Sequence, residues 1–501
     1  MMMRIPTIVC ALFALAACVA PLSAAPKPNI VLFVTDDESP IAGCYGSPVI
    51  QTPHLDALAK DGTMFTNAYA TTASCSASRS VILTGTHNHA NGQYGHVHDY
   101  HHFETYANCA AISLPQQLKL LGYRTAHMGK NHVAPDSVYH YDQELKVTGP
   151  HDSPNWVKNC EPLFNEKSDQ PFYLAFWTHD PHRSGEEQQS VPGDLKPNAF
   201  GNPQVGKEYP GIKEVIYDPS KVVVPSYLPD TPECRAEIAQ YYQSATRTDK
   251  ALGALVEALK KAGQYDNTII IFTADHGMAF PGAKTTVYEA GLRVPFVVHM
   301  PGAKPGVVND AMISHLDLTP TLVDAAGGLD KAANAPKQLA PVEKAGLGEN
   351  AGKKFTRYQG RSWVGLVGRE HGEGWDEISA SHTFHEIQMY YPMRAIRDRR
   401  YKLIWNIASP LPFPFASDLW AASTWQGVWR KGPQALYGNR TVDSYIHRPP
   451  FELYDMEKDA AETKNLAEDP THKELLESMK KRLKEMQKRT DDPWRLKWEY
   501  E

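Results

Sequence analysis

A doubly wound, largely parallel α/β sheet is the fold class this sequence predicts. Short apolar runs, PNIVLFVTDD, PFYLAFWTHDPH and NTIIIFTADHG, each end in polar residues, as buried strands delivering side chains to a crevice do. Helical patterns alternate with these strands. Hydrophobic residues make up 42% of 501, enough to bury a large core of two or three domains or one large α/β unit.

The chain starts with MMMRIPTIVCALFALAACVAPLSAAPKPN, one Arg before an apolar stretch too short to span a bilayer. This predicts a signal peptide over residues 1–25 and export to the periplasm or outside the cell. Ser23-Ala24-Ala25 fits signal-peptidase cleavage, and LAAC ending at Cys18 fits a lipoprotein site. Next, PNIVLFVTDD is a strand presenting Asp36 and Asp37. TPHLDALAKDG is a short helix with Gly62 beyond its end, SLPQQLKLLG a second helix, and YRTAHMGK a strand entering a loop. Residues 183–233 are rich in Pro, Gly and Ser and predict a long surface excursion. Arg235 to Gly263 has a helical pattern, with Ile238, Tyr241, Tyr242, Leu252, Leu255, Val256 and Leu259 inward. Residues 327–352 predict a flexible connector. Beyond about 380, MRAIRD and YKLIWNI predict antiparallel strands. Thr471 to Arg489 predicts an amphipathic helix with Leu475, Leu476, Met479, Leu483 and Met486 on one side. The division is a catalytic domain over 26–375 and a smaller α+β subdomain over 376–501, with an antiparallel sheet and a terminal helix.

The net charge of −6, without a sustained basic run, argues against a nucleic-acid partner. Seven cysteines are present, two of them, Cys10 and Cys18, in the leader. Of the remaining five, Cys44, Cys109, Cys160 and Cys234 allow zero, one or two bridges, which leaves Cys75 over. It lies in a small-residue loop, TTASCSASRSVILTG, four positions before Arg79. Asp36, Asp37 and Asp275 all follow apolar strands, and convergent carboxylates suit a hard divalent cation. Lys130 and His132 lie two apart past a strand, and His182 follows a proline. With Arg79 and Lys284 they would surround an anion such as sulfate or phosphate. Taken one at a time, each Asp pair reads as a turn or cap, and each cation as solvated surface.

CSASRSVILTG resembles the sulfatase signature, GYRTAHMGKNH the second signature of that family, and TDD, HDPH and ADHG its metal and histidine segments, in family order. The tail FELYDMEKDAAETKNLAEDP is similar to its C-terminal subdomain, so the resemblance spans roughly 28–490. Within the family, SHTFHEIQMYYPMRAIRDRRYKLIWNI, LPFPF, GKNHVAPDSVY and HDYHHF resemble the branch that removes N-sulfate from glucosamine. The resemblance implies an alkaline-phosphatase-like fold, with a large mixed sheet flanked by helices. It implies that Cys75 is oxidised to formylglycine by a maturation enzyme. Ala77 stands where many members have proline, which leaves open which maturation system reads the site, alanine being better suited to the anaerobic, radical-type route. One Ca²⁺, with Mg²⁺ as the alternative, would be held by Asp36, Asp37, Asp275, His276 and the residue-75 oxygen. His276 replaces the Asn of many members, and Lys284 the Arg usual in the N-sulfatase branch.

By the same resemblance, the hydrated aldehyde attacks sulfur with Arg79 and Lys130 neutralising charge. His182, or alternatively Lys284, protonates the leaving group, and His132 takes the proton that expels sulfate. His385 and Glu386 would contact the sugar; alternatively Glu386 pairs with Arg394 to tie two strands. HVHDYHHF reads as pocket wall rather than a zinc cluster. The expected partner is a sulfated oligosaccharide, with homodimerisation left open. A phosphoesterase of the same broad fold would want Ser or Thr and two zinc ions, and a thiol phosphatase would want five residues between Cys and Arg. A sulfated-glycan binding protein without turnover is the alternative of another class.

Overall fold

Strand β1 (Asn29–Thr35) is buried along its whole length, with Ile30, Leu32 and Val34 in one core and Val31 and Phe33 in another. A strand covered on both faces needs an unbroken apolar run rather than alternation, which is why NIVLFVT has no polar break before Thr35. The computed structural model describes residues 26–98, 103–183, 200–203, 206–342 and 353–499. The expected leader, Cys10 and Cys18 lie outside the described residues.

Seven further strands complete the large sheet: β2 (Thr63–Tyr69), β3 (Arg124–Gly129), β4 (Gln143–Leu145), β5 (Phe172–Trp177), β6 (Thr268–Ala274), β7 (Phe296–His299) and β8 (Val307–Ser314). Their order is β4-β3-β5-β1-β6-β7-β2-β8. Only β7 runs against its neighbours, so the sheet is mixed but largely parallel. Phe33 of β1 pairs with Phe176 of β5 and Phe272 of β6, which aligns the carboxyl ends of these strands on one edge.

The helix Pro232–Lys261 packs across one face. Thr231 caps its N-terminus by accepting from the Cys234 N–H, Pro232 opens its first turn, and Lys260 and Lys261 suit its last. The expected inward residues are buried except Val256, which is half-exposed. The pair β9 (Leu329–Asp330) and β10 (Ala335–Pro336) follows β8. The smaller sheet orders β11 (Glu377–His382), β12 (Met393–Asp398) and β13 (Tyr401–Asn406), then β16 (Phe451–Asp455), all antiparallel. Between β13 and β16 lies the short pair β14 (Leu436–Tyr437) and β15 (Arg440–Thr441). The helix Lys473–Arg489 lays Leu476, Met479, Leu483 and Met486 on the smaller sheet's core, with Leu475 half-buried at its edge.

Several expectations are corrected. The described part of 183–233 is not only surface: Phe200, Ile212, Tyr217, Val222 and Leu228 are buried, and Phe200 packs on Tyr241 and Phe280. Proline and glycine there mark irregular backbone, while the aromatic and aliphatic residues between them fill a core. The start of 327–352 is the β9–β10 pair, with Ala340 buried, whereas 343–352 lie outside the described residues. Cys44, Cys75, Cys109, Cys160 and Cys234 are all free thiols, so the number of bridges among them is zero. Glu386 does not pair with Arg394. Arg394 is fully buried and makes a two-pronged ion pair with Asp492, at 2.6 and 3.0 Å, joining β12 to the chain end.

That pair sets a stability prediction. Burial alone would raise the Asp492 pKa, but Arg394 beside it holds the carboxyl well below the usual range. A depressed folded-state pKa means the contribution is full above the unfolded value near ~3.9 and is lost as pH falls toward the folded one. Asp492→Asn is expected to destabilise by about 3–5 kcal/mol, because it leaves a buried guanidinium uncompensated. Denaturant unfolding at pH 7 checks it, and the gap to the parent protein should narrow as pH drops below about 4.

Candidate active site

Four neighbouring parallel strands end where the polar residues begin. β1 delivers Asp36 and Asp37, β6 delivers Asp275 and His276, β3 leads into Lys130 and His132, and β5 leads into His182. Gly129 closes β3 with φ +94°, and a Cβ there would fall 2.0 Å from the Trp177 carbonyl oxygen, so only glycine lets the chain turn toward Lys130. Asp37, His132 and Thr285, beside Lys284, also hold positive φ, at 63°, 54° and 67°. Non-glycine residues in that region carry strain, which concentrates at functional sites. Cys75 is the first residue of the helix Cys75–Thr84, fully buried, where unpaired backbone N–H groups favour negative charge.

Arg79 ties the acids together. Its Nη2 lies 3.0 Å from both Asp36 and Asp275, and its Nη1 donates to the Lys130 carbonyl at 2.8 Å. The Lys130 ammonium pairs with the other Asp36 oxygen. Burial opposes charge on Asp36, but Lys130 and Arg79 outweigh it and hold the carboxyl well below its ordinary range. Lys284 donates to Asp37 at 2.9 Å, Asp418 at 2.8 Å and His182 Nε2 at 3.1 Å. Its ammonium therefore fills the space among Asp37, His182 and Asp418, and no other cation is needed there. Because Lys284 donates, His182 Nε2 is an acceptor and the imidazole is neutral. Burial first, then Lys284 and Lys130, lower its pKa. The side chain of His182 is 30% exposed and that of Lys130 14%, so the site opens on their side.

Asp37, Cys75, Asp275 and His276 place one ligand atom each within 4.8 Å of one another. His276 Nδ1 lies 2.9 Å from the Gly277 carbonyl, which can only accept, so Nδ1 carries the proton. Its Nε2 faces Asp37 Oδ1 at 3.0 Å, and in the neutral ring that nitrogen offers a lone pair to a cation shared with the carboxylate. Burial also raises the Asp37 pKa against the pull of Lys284, as for a carboxylate short of positive charge. The donor set fits a divalent cation. Asp36 is not among the convergent atoms; both its oxygens face Arg79 and Lys130. Calcium added to chelator-treated protein is expected to raise its thermal midpoint, by about 2.7 kcal/mol of stability at a hundredfold excess over Kd. Asp37→Asn should lose most of that gain, as read by calorimetry.

Burial is the main reason the Cys75 thiol pKa is pushed well up, with Lys130 opposing and Asp37 adding to it. A thiol nucleophile requires the reverse. Its sulfur lies 3.4 Å from His276 Nε2 and 3.8 Å from Asp37 Oδ1, so a reacting group on this carbon would sit against the cation position.

His132 belongs to a different group. Its Nε2 donates to the Val97 carbonyl at 3.1 Å, and its ring lies 4.8 Å from that of His96. His385 reaches the site from the smaller sheet's side, with Nδ1 3.1 Å from Ser74 Oγ and its ring 3.8 Å from that of His96. Glu386 is half-buried and accepts from the Gln388 side chain; no bond joins it to the ion lattice. Asp418 was not anticipated from sequence, since FASDLW follows no apolar strand and carries no local signal. Of HDYHHF, His98 and Phe103 are described, and residues 99–102 lie outside the described residues.

A metal-ready acidic pocket against the residue-75 carbon, ringed by Arg79, Lys130 and Lys284, defines a hydrolase for a tetrahedral oxyanion. The Sulfatase family profile matches residues 28–329, and the chain belongs to that family. It is 34% identical to the human N-sulphoglucosamine sulphohydrolase, across 93% of this chain and 91% of the relative. It is 28% identical to an ulvan-active sulfatase of Formosa agariphila, across 90% of this chain and 78% of that protein. A solved protein in complex with its substrate D-glucosamine-2-N,6-O-disulfate superposes with a TM-score of 0.61 at 20% identity, covering 93% of this chain and 99% of that one. The fold is that of the alkaline-phosphatase-like sulfatases.

Proposed function

We propose that this enzyme removes the N-sulfate of a terminal glucosamine in heparan-type oligosaccharides, using formylglycine made from Cys75 and one bound Ca²⁺. Similarity over nearly the whole chain to the human N-sulphoglucosamine sulphohydrolase carries this reading. Asp37, Asp275 and His276, with the residue-75 oxygen, would hold the calcium. The modified residue and its cation would supply an activated oxygen nucleophile. Arg79 holds Asp36 and Asp275 in place through its ion pairs. Lys130 and Lys284 neutralise the sulfate as charge builds on its oxygens. An amine leaves sulfur only when protonated. The anionic sulfate brought beside His182 raises its proton affinity, so the imidazolium forms with substrate bound and donates to the departing nitrogen. His132, neutral with its Nδ1 lone pair unpartnered, is placed to accept a proton.

Turnover of N-sulfoglucosamine, glucosamine 6-O-sulfate and a 2-O-sulfated uronate, compared by released sulfate, tests the substrate. The expected ranking puts N-sulfoglucosamine first by at least about tenfold in kcat/KM, roughly 1.4 kcal/mol of transition-state discrimination. A second reading, an exo-acting O-sulfatase on another polysaccharide, draws on Lys284 and His276, which depart from the N-sulfatase pattern, and on the ulvan-active relative. It would put an O-sulfate first. The leader sequence supports export, with a lipid on Cys18 as the alternative processing.

A further inference from the structure

We propose that His96, His98 and His132 form a second metal site, selective for a borderline transition ion of the zinc class, and that its occupation withdraws His132 from catalysis. One ring nitrogen from each lies within 4.8 Å of the others. His96 Nδ1 and His98 Nε2 share a hydrogen bond at 3.0 Å, whose proton a metal would displace, and the His98 and His132 rings are 5.5 Å apart. Tetrahedral zinc with nitrogens at about 2.0–2.1 Å separates its ligands by about 3.3–3.4 Å, so sub-ångström shifts close the site.

His132 has the protonation pattern of a metal ligand. The Val97 carbonyl takes the His132 Nε2 proton, which fixes the tautomer and leaves Nδ1 as a buried lone pair without a partner. His96 is 5% exposed, and its Nε2 is likewise buried without a partner. Among the described residues no carboxylate joins the group, so three imidazoles suit zinc, copper or nickel rather than calcium. Three protein nitrogens leave a fourth position open on a tetrahedral ion, for water or an anion. The acidic pocket at Asp37 and Asp275 is distinct in ligands and in hardness.

Metal binding here stands independently of the substrate. The inhibition it causes rests on the reading that His132 moves a proton in sulfate hydrolysis. The experiment titrates Zn²⁺ into calcium-loaded enzyme carrying its matured residue 75, in calcium excess, and reads bound zinc and calcium per chain by elemental analysis alongside the rate. One zinc per chain without calcium loss, with inhibition that His98→Ala shifts to at least about tenfold higher zinc, is expected. No bound zinc overturns the site, as does zinc that is displaced by added calcium and indifferent to His98→Ala, since that ion sits among the acids. Stoichiometric binding without inhibition keeps the site and overturns the role of His132 instead. Should His98→Ala fail to fold, the visible spectrum of Co²⁺ added to the unsubstituted calcium enzyme decides. Intense tetrahedral bands support the site, and a weak octahedral spectrum overturns it.

Discussion

Cys75→Ala is expected to lower turnover by about five to six orders of magnitude, the scale of removing an enzyme's nucleophile. The same change should cost only about 1 kcal/mol of stability, because it removes a single buried sulfur atom from the helix start. Arg79, Asp36 and Asp275 keep their ion pairs in the variant, since none runs through the thiol. Calcium affinity should fall modestly, with one ligand lost and the carboxylates and His276 retained. Released sulfate, a denaturation curve and a calcium titration on one preparation read all three. Retained turnover would show that the buried, high-pKa thiol position is not the reacting centre.

His182→Ala should act through the leaving group. With N-sulfoglucosamine the loss is expected to be about 10²–10⁴-fold in kcat, the range for removing a positioned general acid. With an aryl sulfate carrying a nitro group, whose phenolate departs without a proton, the loss should be less than about tenfold. Lys284 is the rival acid, and the geometry separates the two. Asp37 and Asp418 outweigh burial and hold the Lys284 pKa well above its ordinary value, so its ammonium binds and does not release a proton. An equal loss on both substrates would assign His182 to binding instead. Asp418→Asn would loosen Lys284 and is expected to raise KM more than it lowers kcat, as the proposed role of Lys284 in holding sulfate requires.

The site was legible where chemistry follows a strand. Asp36, Asp37, Lys130, Asp275 and His276 each stand just past an apolar run, and parallel pairing brings such ends together without further information. Cys75 and Arg79 were legible through their spacing, although the segment read as a loop and is instead a helix whose first turn gives them a shared face. Asp418 was not, because its role depends on a short helix from the second half of the chain docking on Lys284. The histidine group was half legible. HVHDYHHF marked His96 and His98, but only folding brings His132 and His385 against them. Glu386 misled for a related reason: an acid near Arg394 in sequence lost to Asp492, which the terminal segment carries into a fully buried position. Proline and glycine over 200–233 signalled irregular backbone correctly but said nothing of burial, which Phe200 and Tyr217 decide.

Derivation of the nucleophile from Cys75 is read out by the mass of the tryptic peptide that contains Cys75 and ends at Arg79, taken from active enzyme made in its native host. The expected peptide is about 18 Da lighter than the unmodified sequence, as conversion of cysteine to formylglycine requires. An unmodified cysteine peptide from fully active enzyme would contradict it.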